Sequence, residues 1–429
     1  MDTNGFKTPA TLPFAAWQSL SPTDAAREVH RRIAALPEPL HRAALAWLRP
    51  ESELITKLSE HQDMDLPLRG VPHFIKDLFD LYGVPTLAGS TFLNQARGTP
   101  IADSHLVTIL RNLGAACVGK THLVEFAAGL FGDNLNYGDC PHPHFLDRLS
   151  GGSSSGSAAL VGAGVVPLAI GTDTGGSVRV PAAFCGVFGM RLSPGDAFIR
   201  DAVPLSPTFD TAGWFTAEPD DMLAANAALL GAQEPSHGSL RGAYIPAHCF
   251  GIPFDPDTAE AYEDAARGIA ASLDSASTSA LVSSWEKAID AYTVITLSEA
   301  HAYHRAWLTP YREHYNPTIW QRFTSGGDYL SAQIEEARRT VSEVRKAFAS
   351  FFANHDYLIL PATPFPALQK AECTPEARRG LLTLATPASL GGLSVLTLPV
   401  ALPSGLTTGL QVLVPSPHSP AITALLKAQ

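Results

Sequence analysis

Apolar residues recur at helical spacing between about residues 20 and 60: Ala25, Val29, Ile33 and Ala34, then Leu40, Ala44, Trp47 and Leu48. An i, i+3, i+4 pattern of this kind predicts amphipathic helices with one face on a core. Pro37, Pro39 and Pro50 interrupt it, and proline both lacks an N–H and clashes with the preceding turn. Two or three helices packed on the main body are expected. Leu106, Val107, Leu110 and Leu113 repeat the spacing, and Gly114 follows as a helix stop. Residues 115–118 then read as a short buried strand. Residues 220–355 are mostly helical in pattern. Further on, Tyr357 to Leu360 read as a buried strand ending in a proline turn, and residues 395–400 and 409–414 read as a pair of apolar strands.

The centre of the chain breaks this rhythm. Residues 149–179 run L-S-G-G-S-S-S-G-S-A-A-L-V-G-A-G-V-V-P-L-A-I-G-T-D-T-G-G-S-V-R. Gly/Ser clusters are usually flexible linkers. Linkers do not enclose a helix-like segment (Ala158, Ala159, Leu160, Val161) and a strand-like one (residues 165–170). Two glycine-rich turns joined by buried structure are better read as two backbones brought close to one small site. Glycine gives the main chain room there, and Ser153 and Ser177 supply hydroxyls. Upstream, Lys76 sits among Phe74, Ile75, Leu78 and Phe79. An isolated lysine in such a strand would snorkel to water. A buried one is disfavoured as ammonium, and the neutral amine can act as a base.

Composition narrows the classes. The 429 residues, 45% hydrophobic, can bury a large core. A net charge of −11, with no Lys/Arg run longer than a pair, argues against a nucleic-acid binder. Five cysteines (Cys117, Cys140, Cys185, Cys249, Cys373) are scattered without C-x-x-C spacing. That pattern fits reduced thiols in the cytoplasm and offers no zinc framework. No signal peptide is evident, and the apolar stretch of residues 158–170 is broken by Gly162, Gly164 and Pro167 and is short for a membrane span. No membrane association is expected.

Two motifs are deceptive. Gly114-Ala115-Ala116-Cys117-Val118-Gly119-Lys120-Thr121 matches the phosphate-loop pattern letter for letter. That loop needs a strand before it and a helix after it, whereas here a helix precedes and a strand falls inside the motif. His142 and His144 have H-x-H spacing but no third ligand, so they are expected to be surface-loop histidines, with no metal and no cofactor.

G-G-S-S-S-G-S-A, then G-T-D-T-G-G-S-V-R-V-P-A, with Gly70-Val71-Pro72-His73-Phe74-Ile75-Lys76-Asp77 upstream, resembles the signature of the amidase signature family of serine hydrolases. The two serines stand 177 − 153 = 24 positions apart, as in that family. Strong resemblance covers about residues 66–215 and a weaker one residues 355–414. It implies an α/β fold: a single large domain, 1–429, with a central twisted mixed β-sheet covered by helices on both faces. Residues 65–220 would be the signature core, 221–355 a variable helical region shaping the substrate pocket, and 356–429 strands returning to the core.

The resemblance also implies a relay in which Ser177 attacks an amide carbonyl, Ser153 bridges, and Lys76 takes the proton. An acyl-enzyme would follow. The backbone of Thr174, Gly175 and Gly176 would face the oxyanion, Ala127, Ala128 and Gly129 would border the substrate, and Ser154 would help position the relay. Asp173 and Arg179 would hold the loop. Relatives have a cis peptide before the bridging serine, here Gly152–Ser153. The expected activity is hydrolysis of carbon–nitrogen bonds in linear amides other than peptides. The expected partner is a small-molecule amide, with no nucleic acid, and a homodimer is allowed. The alternatives are an amidotransferase A-like subunit of a larger complex and an inactive binding protein. Among substrates, small carboxylated amides fit relatives that share Ser155, although no arginine for the carboxylate stands out. Tyr303, His304, Arg305, Tyr311, Arg312, Trp320 and Tyr329 are candidates for the pocket. Three departures from the family pattern are visible. Met190-Arg191-Leu192-Ser193-Pro194 stands where relatives have Leu-Lys-Pro-Thr, a change expected to affect packing more than chemistry. Thr208 takes a serine's place, and Ser389 an asparagine's.

Overall fold

The computed structural model describes residues 10–231 and 239–429. Among the described residues eleven strands form one sheet: β1 (Leu45–Leu48), β2 (Pro72–Lys76), β3 (Ala116–Thr121), β4 (Leu168–Asp173), β5 (Phe188–Arg191), β6 (Thr211–Thr216), β7 (Gly242–Tyr244), β8 (Ala271–Ser272), β9 (Tyr357–Pro361), β10 (Ser394–Ala401) and β11 (Thr407–Val414). Their spatial order is β1-β3-β2-β4-β6-β5-β10-β11-β9-β7-β8. β2 runs parallel to both β3 and β4, β7 runs parallel to β8 and β9, and the other pairs are antiparallel.

Both faces of this mixed sheet are buried, because alternate side chains along each strand point to opposite sides. Ile75, Leu168, Ile170, Trp214, Ile359, Leu396 and Val412 join one core, beneath the helices His105–Asn112, Pro219–Leu230, Pro256–Ile269 and Pro420–Leu426. Their strand neighbours Phe74, Ala169 and Phe215 join a second core with the helices Pro22–Ala34 and Ser155–Gly162. Leu358, Leu360, Val395 and Leu413 meet the long helices Ala288–His304, Ser331–Phe352 and Pro375–Gly391 on that same side. Among the described residues no helix is long and apolar enough to cross a membrane.

Two local expectations change, at β1 and at His142, and the expected strand inside the phosphate-loop match is present. Trp47 and Leu48 continue a helical spacing but lie in β1, where Trp47 pairs with Lys120 and Leu48 with Gly119 of β3. A backbone ladder to an existing strand outweighs local periodicity there. The phosphate-loop match is β3 itself. Lys120 is fully buried, with Nζ 2.5 Å from Asp77 Oδ1 and 2.8 Å from Thr86 Oγ1, so it has no free charge for a phosphate. His142 is buried rather than on the surface: its Nδ1 accepts the amides of His144 and Phe145 at 3.0 and 3.1 Å, and Nε2 lies 2.9 Å from the Phe184 carbonyl. Only His144 of that pair is exposed. Among the described residues no group of three or more His, Cys, Asp or Glu could hold a metal.

Candidate active site

β2, β3 and β4 end side by side, and the candidate site residues lie at and beyond their carboxyl ends, where sites on parallel strands usually sit. Lys76 closes β2, opposite Thr121 of β3, and Ile75 pairs with Ile170 of β4. Its side chain is fully buried. Nζ donates to Ser153 Oγ and Thr172 Oγ1, each at 2.8 Å, and to Ser154 Oγ at 3.0 Å. Among the described residues no carboxylate forms an ion pair with it. Burial therefore pushes Lys76 down to about 7, with Asp173 and Asp210 opposing only in part. Near neutral pH a large fraction of this lysine is an uncharged amine surrounded by hydroxyls.

The first serine turn is held by backbone bonds. The peptide Gly152–Ser153 is cis. Gly152 N–H donates to the Leu130 carbonyl at 2.8 Å, and Val124 N–H donates to the Ser153 carbonyl at 3.2 Å. Ser154 ties the two serine turns together: its N–H donates to the Ser177 carbonyl at 3.3 Å, and its hydroxyl donates to the Thr172 carbonyl at 3.1 Å. Ser157 points elsewhere, to the Ile170 carbonyl and Thr121 Oγ1.

Asp173, the last residue of β4, organises the second turn. Its carboxylate accepts the amides of Gly176 at 2.8 Å, Val178 at 3.0 Å and Arg179 at 3.3 Å. It also accepts two guanidinium groups, with Arg179 Nη2 at 2.9 Å and Arg191 Nη1 at 2.7 Å. Burial opposes its charge, yet Arg179 and Arg191 outweigh burial and hold the carboxyl far below the usual range. Arg179 continues to the Ala385 carbonyl, Gln411 Oε1 and Ser389 Oγ at 2.7 to 3.0 Å. The Ser177 turn, helix Pro375–Gly391 and β11 are thus one polar network. Because Gly176 N–H is taken by Asp173, that amide is already engaged. Gly175 and Gly176 are also dictated by space and backbone. A Cβ on Gly175 would lie 2.5 Å from Tyr292 Oη, and Gly176 has φ +119°.

The turn at Glu125–Ala127 runs beside the cis peptide, with Phe126 and Ala127 at φ +48° and +59°. The amides of Ala127 and Ala128 bond within that turn, to Val124 and Glu125 carbonyls. Gly129 packs on Val124, whose Cγ1 would lie 2.8 Å from an added Cβ. Ala128 presents its carbonyl to Arg322 Nη1 at 2.7 Å.

A family model described as Amidase matches residues 24–417 of the sequence. The chain belongs to the Amidase family. It is 32% identical to AtzE, a 1-carboxybiuret hydrolase subunit of Pseudomonas sp. (strain ADP), over 82% of this chain and 81% of that one. It is 28% identical to a subunit of the glutamyl-tRNA(Gln) amidotransferase of Methanospirillum hungatei, over 84% of this chain and 92% of that one. A solved amidase crystal structure superposes with a TM-score of 0.83 at 28% identity, covering 95% of this chain and 96% of that one.

Within this amidase fold, Lys76, Ser153, Ser154, Asp173, Thr174, Gly175, Gly176, Ser177 and Arg179 come together from β2, the end of β4, two turns and one helix start. The region of residues 303–329 contributes unevenly. His304 is buried, 2.8 Å from Tyr315 Oη and edge-on to Phe126. Tyr311 stacks on Phe92 and Arg312 lies over Trp320. Arg305 is exposed. Sequence reasoning missed Thr172, Arg191, Asp210 and Tyr292. Thr172 lies inside the quoted motif and could have been found by asking which hydroxyls surround a buried amine. Arg191 was expected to matter for packing and instead bonds Asp173. Asp210 accepts Thr174 Oγ1 at 2.5 Å, and burial pushes it up to about 6. A separate cavity of about 180 Å³, lined in part by Arg49, His73, Tyr82 and Cys117, contains none of these site residues.

Proposed function

We propose that this amidase-family protein hydrolyses the carbon–nitrogen bond of a small amide through an acyl-enzyme on Ser177. The observation that carries the reading is Lys76, fully buried without a carboxylate partner and 2.8 Å from Ser153 Oγ. A serine hydroxyl needs a base, and a lysine pushed down to about 7 is poised to be one at neutral pH. Ser177 Oγ attacks the carbonyl carbon while its proton passes through Ser153 to Lys76. The backbone around Thr174, Gly175 and Ser177 faces the developing oxyanion, where one lost donor raises the barrier by about 3 to 4 kcal/mol. As the C–N bond breaks, the stored proton returns through Ser153 to the leaving amine. Water then cleaves the acyl ester by the same path in reverse, releasing the acid and restoring Ser177.

The test is ammonia or amine release from a panel of small amides, ureido acids and anilides, comparing the wild type with Ser177→Ala. Loss of turnover in the variant supports the mechanism, and full turnover there refutes it. The Pseudomonas and Methanospirillum relatives are both named as subunits, which supports a second reading: one subunit of a larger assembly. That reading requires turnover to appear only when a co-purifying partner is present.

A further inference from the structure

The cavity that Arg49, His73 and Cys117 line lies across the sheet from Lys76. Side chains alternate along β2. Phe74, and with it Lys76, faces the core that holds the helix Ser155–Gly162, whereas Ile75, and with it His73, faces the opposite side. Leu81, Val107 and Ala115 also line the cavity and share the core of Ile75. The cavity is therefore no extension of the serine turns. At about 180 Å³ it has room for an organic molecule of several heavy atoms.

The backbone places its polar groups together. His73 of β2 pairs with Cys117 of β3 in parallel register, so both side chains leave the sheet on one face. Arg49, just beyond β1, is tied to the same strand. Its N–H donates to the Val118 carbonyl at 2.8 Å, and its Nε donates to the Cys117 carbonyl at 2.9 Å. His73 is 1% exposed, and neither ring nitrogen has a hydrogen-bond partner among the described residues. A buried polar group without a partner weakens the fold, and a leucine would fill the same place at lower free energy. Burial first, and then the Arg49 charge, push the imidazole down to about 3, with the nearby Ala116 backbone opposing only in part. The ring is thus neutral, with one N–H and one bare nitrogen to offer.

The ions on the cavity wall are unevenly answered. Lys57 meets Glu60 at 2.6 Å and Arg111 meets Asp103, so both of those carboxylates are taken. Arg49 is mostly buried, and its carboxylate partner is the exposed Glu53 at 3.5 Å. We propose that this cavity is a second ligand site, separate from the serine turns, for a small organic anion whose acidic group meets Arg49 and His73 and whose apolar body packs on Leu81 and Val107. A guanidinium matches a planar oxyanion with parallel hydrogen bonds, and His73 adds a donor from β2. The inference stands apart from the hydrolytic reading, because a ligand on this face of the sheet is out of reach of Ser177.

Cys117 is partly exposed and reports on this cavity alone. Its modification by methyl methanethiosulfonate, a small thiol reagent without an amide, is followed in the folded protein by peptide mass analysis. Benzoate, the neutral benzyl alcohol and inorganic phosphate are compared as protectants. Benzoate is expected to slow modification of Cys117, and not of Cys249 or Cys373. Its half-effect concentration should be about 10- to 100-fold below that of benzyl alcohol, the size of a charge-assisted bond. Phosphate, which has no apolar body, should protect less than benzoate. No protection by benzoate, or equal protection by either of the others, would overturn the site. The same titration in His73→Leu and in Arg49→Gln should need about 10- to 100-fold more benzoate, and the wild-type concentration in either variant would overturn it. Urea unfolding of His73→Leu should show a midpoint at or above that of the wild type, which separates lost binding from lost fold. Benzoate bound at the serine turns leaves the Cys117 readout unchanged.

Discussion

Replacing Lys76 with methionine isolates the charge of the amine from its volume. The folded protein holds this lysine at about 7, whereas an unfolded chain returns it to its ordinary value of 10.5. Between these values the unfolded state binds the extra proton, so folding is penalised and stability rises with pH. The penalty is complete below about 7 and absent above about 10.5. Linkage makes it about 4 kcal/mol at pH 7 and about 2 kcal/mol at pH 9. The three hydrogen bonds from Nζ work in the opposite direction, at about 1 kcal/mol each, with little dependence on pH over this range. The net stability change on Lys76→Met is therefore small at neutral pH, but its pH dependence is not. Urea unfolding at pH 7 and pH 9 should show the wild type gaining about 2 kcal/mol on the variant over this interval. Glu125 and Asp221, which burial pushes up to about 7, are present in both proteins and cancel in the difference. A stability difference that stayed constant from pH 7 to pH 9 would mean that Lys76 is an ordinary charged lysine in the folded state. The base assignment would then be refuted without any substrate having been identified.

Two further changes examine the frame around Ser177. Asp173→Asn leaves Arg179 and Arg191 buried without their anion, and urea titration should show a loss of about 3 to 5 kcal/mol; a loss below about 1 kcal/mol would contradict the network described. Gly175→Ala drives a methyl group into Tyr292 and should cost about 1 to 3 kcal/mol. In a double-mutant cycle the cost should shrink when Tyr292→Leu removes the obstacle, and strict additivity would show that the two residues do not touch.

The candidate site residues were legible because their pattern is written locally. Paired glycines beside serines in 151–157 and 174–177 mark turns whose backbones must approach closely, and Lys76 stands alone among apolar residues that exclude water. The short apolar runs in β9, β10 and β11 likewise announced buried strands. Local spacing failed at Trp47 and Leu48, where the partner strand β3 lies more than seventy positions away. It held at Lys120, where the helix before the motif and the strand inside it argued against a phosphate loop and Asp77 lies against the amine.

Sequence by itself therefore determined the family, the serine turns, the buried amine and the apolar strands, because each depends on neighbours in the chain or on a spacing that a reader can count. Only the tertiary structure decided which groups answer one another. Thr172 and Ser154 surround Lys76, Arg191 reaches Asp173 across the sheet, and Tyr292 closes on Gly175 from a distant helix. Burial and counter-charge are properties of the folded surroundings, and those surroundings are assembled from segments that no local pattern connects.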